Sequence, residues 1–169
     1  MVEKIIQTSQ MKKKINSRLL MYTCASVLTL FSSCGDAAYF EALHSFDDER
    51  WDKTDTAFFE LEVDDTKADY EFSLSLRTTT EYEFSNLWVY IESTAPDGST
   101  SKVAQQLPLA RPDGSWIGNV SGTIVQTEVK FAAKVFPLKG DYSFKLMNAT
   151  QQKSIDHVLD VGLTIRKIN

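Results

Sequence analysis

The chain contains few of the residues on which reactive and metal-binding sites usually depend. Its 169 residues include two cysteines, two histidines, four prolines and seven glycines. Two cysteines and two histidines cannot build a disulfide framework, and they offer little material for a zinc site or a histidine-based catalytic centre. With 43% apolar residues and so little proline and glycine, collagen-like and low-complexity classes are excluded. The composition therefore predicts one compact domain with no metal and no other cofactor.

Positive charge is also scarce. The 18 basic and 23 acidic residues give a net charge of -5 and a pI near 5.0, and a chain of this charge repels nucleic-acid phosphates. Motifs for a nucleophile, a phosphate loop or a metal site are missing, and neither His44 nor His157 stands in a triad-like signature. We therefore expect no nucleic-acid partner and no enzymatic activity.

No apolar run is long enough to cross a bilayer as a helix. The longest, residues 19–31, has thirteen residues, whereas a transmembrane helix needs roughly 20. Basic residues 12–14 and Arg18 precede this run, in the order that a secretory signal peptide shows. The sequence thus predicts a cleaved signal peptide over residues 1–33, with Met11 as the hypothesised true start.

The apolar run ends in Leu30-Phe31-Ser32-Ser33-Cys34, which resembles a bacterial lipobox. Cys34 would then be acylated and become the first residue of the mature protein, and several acyl chains on one cysteine give durable membrane anchoring. The alternatives are a Cys24–Cys34 disulfide or two idle thiols. Without residues 1–33 the chain keeps 13 basic and 22 acidic residues, a net charge of -9.

Residues 34–55 carry many acidic side chains without a clear period, which predicts a lipidated, solvated tether. Tyr39, Phe40 and Trp51 are the side chains expected to dock on the domain. Calcium binding by the acidic residues is the alternative, but the spacing and glycine of an EF-hand are absent. The folded domain is predicted to occupy residues 56–169.

After Asp55 the hydrophobic pattern changes to a period of two. In residues 70–77, apolar and polar side chains alternate, which places Tyr70, Phe72, Leu74 and Leu76 on one face of a strand. Similar alternation covers residues 59–63, 129–135 and 159–166. Strands with one polar face are typical of antiparallel sheets, so the sequence predicts an all-β fold: a two-layer antiparallel β-sandwich, Ig-like or jelly-roll-like.

Aromatic residues on an exposed sheet face are candidate contacts for a sugar or a protein. Residues 87–91 are apolar on both faces, which indicates a central strand with Trp88 and Tyr90 on the face opposite Leu87, Val89 and Ile91. For Trp88, packing in the core is an equal alternative to an exposed contact. Two Pro-Asp-Gly-Ser sequences, at 96–99 and 112–115, predict turns at opposite ends of the strand between them. Trp116 directly follows the second turn and is expected to cover the end of the sandwich.

Several short motifs of the chain form a recognisable set. They are Trp51-x-x-x-Asp55, Leu76-Arg77, Tyr82-Glu83-Phe84-Ser85-Asn86-Leu87, Pro112-Asp113-Gly114-Ser115-Trp116-Ile117-Gly118, Phe136-Pro137 with Gly140-Asp141-Tyr142, and Asp160-Val161-Gly162-Leu163. Together these motifs resemble the gliding-motility lipoprotein GldH family of Bacteroidota. The resemblance implies a lipid-modified N-terminus and a non-catalytic role in gliding and the associated type IX secretion machinery. The implied partners are the membrane, through acyl chains on Cys34, and other envelope proteins of that assembly.

The resemblance singles out the motifs of Arg77, Asn86 and Asp160 as candidate polar contacts, although each could equally anchor a strand end. Asp55-Thr56-Ala57 also resembles the short O-glycosylation acceptor of secreted Bacteroidota proteins, with Thr56 as acceptor. Surface-exported lipoproteins of this phylum have an acidic run behind the cysteine, which residues 35–38 lack. We therefore expect an outer-membrane anchor facing the periplasm. A carbohydrate-binding sandwich that uses Trp88, Tyr90 or Trp116 is the alternative function.

Overall fold

The structure, a computed structural model, describes residues 38–168. The signal peptide and Cys34 lie outside these residues. The described part of the chain forms strands joined by turns, together with one 3₁₀ turn at Asp47–Glu49 and no α-helix. The strands are β1 (Phe40–Ser45), β2 (Arg50–Asp52), β3 (Thr56–Val63), β4 (Asp69–Thr79), β5 (Asn86–Thr94), β6 (Thr100–Pro108), β7 (Asn119–Ser121), β8 (Ile124–Lys130), β9 (Gly140–Asn148), β10 (Ser154–Asp156) and β11 (Val158–Ile168).

The strands form two main antiparallel sheets. One has five strands in the order β1-β11-β4-β8-β7, and the other has four in the order β3-β9-β5-β6. The short strands β2 and β10 pair with each other in a separate ribbon. This arrangement confirms the predicted all-β, two-layer antiparallel sandwich. In residues 38–168 the structure contains no helix of the length and apolar character needed to cross a membrane.

The core follows from the period-two pattern. In β4, Tyr70, Leu74 and Leu76 are buried on the predicted face, and in β3 every second side chain from Ala57 to Val63 is buried. Because side chains alternate between the faces of a strand, the polar residues between them point outward. The central position of β5 is also confirmed, since it lies between β9 and β6.

The predicted start of the folded domain at residue 56 is wrong. Strand β1 pairs along its whole length with β11, so residues 40–45 belong to the five-stranded sheet and not to a solvated tether. Trp51 is completely buried, stacked on Phe46 with ring centroids 4.6 Å apart. The predicted docking of Trp51 is confirmed. The acidic residues of this segment interrupt the hydrophobic pattern in the sequence, so the pattern predicted a tether and not a strand.

The strand predicted over residues 129–135 is also misplaced. Strand β8 ends at Lys130, and the chain continues beside β4 with Phe131 N bonded to Phe72 O at 2.8 Å and Lys134 N bonded to Tyr70 O at 2.9 Å. Between these two hydrogen bonds the chain advances three residues, from Phe131 to Lys134, while β4 advances two, from Phe72 to Tyr70. The one extra residue interrupts the alternation, as in a β-bulge.

Strand β11 is buried on both faces, although its polar residues predicted a solvated side. Asp160 and Thr164 are buried on the outer face, and Gly162 lies between them. A Cβ on Gly162 would stand 2.4 Å from Ser75 Oγ and 3.3 Å from Leu43 Cδ1, so neighbouring side chains cover this backbone closely. The reason is that β11 has a strand on each side, β1 and β4.

Both predicted Pro-Asp-Gly-Ser turns are confirmed. Gly98 and Gly114 have φ of 81° and 84°, which glycine adopts without steric cost. In each turn the aspartate Oδ1 accepts a 2.9 Å bond from the backbone N–H of the serine two residues later. The turns lie at the two ends of β6, as expected.

The two flanks of the sandwich differ. On one side, edge strands β1 and β3 meet, and we call this side the closed flank. Two contacts cross it: Tyr39 OH donates to Glu62 O at 2.8 Å, and His44 Nε2 lies 3.0 Å from Asp55 Oδ1. We call the opposite side the open flank. There, edge strand β6 and the segment 131–136 leave a cleft of about 450 Å³ between the sheets.

Candidate functional site

The outward surface of the four-stranded sheet carries a group of exposed aromatic side chains. Strand β5 presents Trp88 and Tyr90, which are 43% and 38% exposed, and β3 presents Phe58. Met147 of β9 lies opposite Tyr90 in the register, between β5 and β3. We call these four residues the aromatic face. Trp88 and Tyr90 thus lie opposite the core-facing residues of β5, as the sequence predicted.

Charged side chains border the aromatic face. Glu92 of β5 pairs with Lys102 of β6 at 3.8 Å and with Lys145 of β9 at 3.4 Å. Lys102 Nζ also lies 4.8 Å from the centroid of the Tyr90 ring, a cation–π distance. Exposed ion pairs of this kind contribute little to stability. Their effect here is to orient Tyr90 and to give the apolar patch a polar edge.

The aromatic face has the character of a contact surface. Tyr90 and Met147 are register partners on adjacent strands about 4.8 Å apart, whereas Lys145 of β9 lies between Phe58 and β5. Exposed apolar patches with polar edges often mark interaction sites in soluble proteins, and tryptophan and tyrosine are the residues enriched at binding hot spots. The sequence missed Phe58 and Met147. Phe58 was detectable, because it is an apolar residue at a position where the alternation of β3 calls for a polar one.

Arg77 and Asp160, two of the predicted polar contacts, lie together on the outer surface of the other sheet. They are register partners on β4 and β11, and Arg77 Nε lies 2.9 and 2.8 Å from the two oxygens of Asp160, with Nη2 also bonded to Oδ2. Asp160 is only 2% exposed, and its hydrogen bonds to the guanidinium raise the pKa of Arg77. Arg77 and Asp160 therefore satisfy each other's hydrogen bonds, and the pair links β4 to β11 within the sheet.

Further ion pairs cover the same outer surface. Arg166 of β11 and Glu128 of β8 approach to 3.8 Å across β4, and Lys130 lies 3.3 Å from Glu71. Ser73 lies between these strands and is 2% exposed. Polar side chains pair with one another here, so this surface differs in chemistry from the aromatic face.

Asn86 stands at the start of β5, beside a depression at one end of the sandwich. The depression has a volume of about 290 Å³, and its lining includes Phe84, Asn86, Gln151 and Gln152. Phe84 is exposed and packs edge-on against buried Tyr82, whose OH donates to Asn86 O at 3.1 Å. Burial raises the pKa of Tyr82. Asn86 is thus near an aromatic ring and two amides, and apart from Arg77 and Asp160.

Trp116 and Thr56 are the remaining predicted site residues, and Thr56 adjoins the aromatic face because it is the register partner of Met147. Trp116 is partly buried against the core, and it bridges to Ala110 across the second turn. It does not share the surface of Trp88 and Tyr90, in keeping with the expected role of covering the sandwich end. Thr56 is the first residue of β3 and is partly buried, directly after the Asp55 that contacts His44.

The histidines contact carboxylates. His44 pairs with Asp55, and His157 Nδ1 lies 3.8 Å from Glu81 Oε2. Within residues 38–168, no three or more His, Cys, Asp or Glu side chains are grouped so as to hold a metal ion. The geometry described so far supports binding through surfaces and offers no assembled set of reacting groups among these residues.

The fold and its exposed faces define a class of protein: a small antiparallel β-sandwich with one aromatic outer surface and one polar outer surface. The family model described as GldH lipoprotein matches residues 38–165, and the chain belongs to this family. The resemblance seen in the sequence motifs is thereby confirmed.

Two named relatives cover most of the chain. A "Gliding motility lipoprotein GldH homolog" from Christiangramia forsetii is 26% identical over 149 residues, which span 83% of this chain and 90% of the relative. "Gliding motility lipoprotein GldH" from Flavobacterium johnsoniae is 26% identical over 145 residues, 82% of this chain and 90% of the relative. The description of the family is that of a lipoprotein and names no reaction.

Among solved structures, "CBM35 from Cellvibrio japonicus Abf62" aligns with 79% of this chain and 73% of its own. The identity is 13% and the TM-score 0.26, a likeness that carries no argument about this chain.

Proposed function

We propose that this protein is a lipid-anchored accessory of the gliding-motility and type IX secretion machinery, and that it acts by binding other envelope proteins. Membership of the GldH lipoprotein family supports the lipid anchor, and the names of the two relatives support the motility role. The single observation that carries protein binding is the aromatic face. It combines exposed Trp88 and Tyr90 with neighbouring charged side chains.

The proposed anchor is Cys34, with the domain on the periplasmic side of the outer membrane. Tyr39 is bonded to Glu62 and so is fixed to the sandwich. Tyr39 is five positions after Cys34, with four residues between them. At most about 3.5 Å per residue, this connection holds the domain within roughly 18 Å of the lipidated cysteine. The aromatic face would therefore meet partners close to the membrane.

The test is partner capture from crosslinked envelopes of the native host. Complexes of the native chain, of Cys34→Ala and of the double variant Trp88→Ala/Tyr90→Ala are purified and their members identified by mass spectrometry. We expect components of the gliding or secretion machinery with the native chain and at least a tenfold loss with the double variant, as for a binding hot spot. Cys34→Ala should remove the acyl mass and the membrane fraction.

The matched control is Leu43→Ala, which removes an exposed apolar side chain from the polar outer surface. It should leave capture unchanged, and urea unfolding should show that all surface variants remain folded. Equal capture by the double variant and the control would refute the role of the aromatic face. A native complex without motility or secretion components would refute the proposed assembly.

A second candidate is carbohydrate binding at the end depression. Exposed Phe84 beside the amides of Asn86 and Gln152 supplies a ring for stacking and donors for hydroxyl groups. Affinity electrophoresis in gels that contain the host's envelope polysaccharide tests it. Retardation that is lost in Phe84→Ala and kept in Trp88→Ala would favour this function, and free migration of the native chain would dismiss it.

A further inference from the structure

The open flank carries a site that is separate from the aromatic face. We propose that edge strand β6 and the adjoining cleft accept an extended, acidic segment of a protein partner, which pairs with β6 as an added strand. The two sheets contain four and five strands, and the smaller sheet ends in β6. A strand added to β6 would give both layers five strands and would cover the cleft.

On β6, inward-facing Ser101, Val103 and Gln105 remain in contact with solvent, whereas inward-facing Leu107 is buried. Val103 is the register partner of Ile91 and points between the sheets, yet it is 52% exposed. Inward residues of the neighbouring strands, such as Val89 and Leu146, are completely buried. Val103 is therefore a core position that residues 38–168 alone do not cover.

The backbone of β6 is regular and available for pairing. It pairs with β5 without a register break over nine residues. In antiparallel pairs, hydrogen-bonded and non-hydrogen-bonded positions alternate. Ala95 N donates to Ser99 O, and Leu109 N donates to Ser85 O. The odd-numbered residues of β6 therefore direct their backbone N–H and C=O groups toward β5. Lys102, Ala104 and Gln106 consequently direct their N–H and C=O groups to the open side. Of these groups, Gln106 O already accepts a hydrogen bond from Gln105 Nε2 at 3.0 Å.

The cleft fits the side chains of such a strand. Its volume is about 450 Å³, and its apolar lining includes Phe72, Phe136, Phe144, Leu146 and Leu163. Every second side chain of a strand points to the same face, so roughly three apolar residues of an added strand at i, i+2 and i+4 would enter it. Backbone pairing with alternating pockets is the mode of recognition known as β-strand addition.

Charge indicates what kind of strand fits. Among the residues that the structure describes, Lys134 is the one charged residue that lines the cleft. Residues 129–140 contain Lys130, Lys134 and Lys139 with no acidic residue, and β6 adds Lys102, in a chain of net charge -5. Among residues 38–168, neither Lys134 nor Lys139 has a carboxylate within 4.0 Å. An acidic segment complements this flank, whereas a second copy would bring equal positive charges together.

The first test uses synthetic peptides and the full chain in phospholipid nanodiscs. The probe is a fluorescein-labelled nonapeptide with valine and phenylalanine at alternate positions and glutamate between them, and binding is followed by anisotropy. A scrambled peptide of the same composition should bind at least about tenfold more weakly, because strand addition needs the alternation. Two further peptides are N-methylated at the odd or at the even positions. Only one of the two should lose binding, since only one set of N–H groups faces β6.

The second test changes the protein. Ala104→Pro removes an outward N–H of β6 and should weaken binding about tenfold, since proline cannot donate to an added strand. Glu60→Pro, on the other edge strand of the same sheet, is the matched control and should bind normally. Lys134→Glu should weaken binding of the acidic probe, with Lys153→Glu as its control. Trp88→Ala should have no effect, which keeps this site distinguishable from the proposed function.

Hydrogen exchange decides the outcome if a variant unfolds. In the unaltered chain, the peptide should slow exchange at the amides of Lys102, Ala104 and Gln106. No protection there, or equal binding of both N-methylated peptides, would overturn the proposal. Saturable binding of palmitate that blocks the peptide without protecting β6 would also overturn it and would assign the cleft to an acyl chain.

Discussion

The two flanks of this sandwich are built on the same alternation of side chains but are completed in different ways. On the closed flank, Trp51 is completely buried under the edges of both sheets, and its Nε1 donates to Asp55 O at 3.0 Å. On the open flank, Val103 points inward and is half exposed. Burial of an inward side chain therefore depends on the element that crosses the gap between the sheets. The segment 38–55 supplies that element on one side alone.

The comparison also separates stability from binding. At the closed flank, the stacked rings of Trp51 and Phe46 are removed from solvent, where an aromatic contact contributes most. The open flank and the aromatic face leave large apolar side chains in solvent, and substitutions there should change binding more than stability. The following predictions test this division.

The largest effect is expected for Trp51→Ala. Removal of a completely buried indole should lower the free energy of unfolding by about 3–5 kcal/mol, because apolar contacts are lost and a cavity remains. Val103→Ala on the open flank should change it by only about 0.5 kcal/mol. Urea unfolding followed by tryptophan fluorescence and circular dichroism measures both. Similar losses for the two variants would contradict the distinction between the flanks.

A smaller effect is expected for Arg77→Ala, on the strand next to β11. This variant leaves the buried Asp160 carboxylate without its partner, which should cost about 2 kcal/mol, less than for a fully buried pair because Arg77 is 39% exposed. Lys102→Ala, which breaks an exposed pair, should cost under about 0.5 kcal/mol. Chemical denaturation of both variants gives the comparison. If Arg77→Ala left the free energy of unfolding unchanged, water would have to solvate Asp160 in the folded state.

Tyr39→Phe should have a modest effect. The hydroxyl of Tyr39 donates to Glu62 O at 2.8 Å and lies 3.1 Å from Asp64 Oδ1, so its removal should cost about 1 kcal/mol. Tyr90→Phe on the aromatic face is the matched control and should be nearly neutral. If both variants unfold at the same urea concentration, the Tyr39 bond does not help to close the flank.

The smallest effect is a pH dependence near the closed flank. Lys167 Nζ lies 2.6 Å from Asp65 Oδ2, and this hydrogen bond lowers the pKa of Asp65 from 3.8 to about 2. The stabilisation is therefore complete above pH 3.8 and is lost as the pH falls towards 2. The difference in urea midpoint between the native chain and Asp65→Asn should be constant at neutral pH and shrink between these values. A difference in midpoint that stays constant down to pH 2 would contradict this prediction.

Much of the sandwich could be predicted from local patterns. Strands β3 and β4 could be predicted from their alternation, and two turns from Gly98 and Gly114. These signals are sufficient because each depends on residues close in sequence. The strand over 129–135 was misplaced because one extra residue between Phe131 and Lys134 breaks the period. Residues 40–45 were mistaken for a tether because their pairing with β11 joins positions more than a hundred residues apart.

The candidate sites divide in the same way. Trp88 and Tyr90 could be assigned to an outward face from the pattern of β5, since the opposite face was already apolar. The pairing of Arg77 with Asp160 could not be predicted, because it depends on the register between β4 and β11. The cleft beside β6 was also missed. Lipid attachment at Cys34 and glycosylation at Thr56 stay predictions.

The sequence by itself determined the class of fold, the turns and the family, because period-two alternation, turn chemistry and motif residues act over a few positions. Only the tertiary structure decided which inward side chains are covered. Coverage depends on strand order and on how many strands each sheet contains, and these follow from contacts between distant segments. For that reason Trp51 is part of the core, and Val103, with the same inward orientation, is left at an open edge.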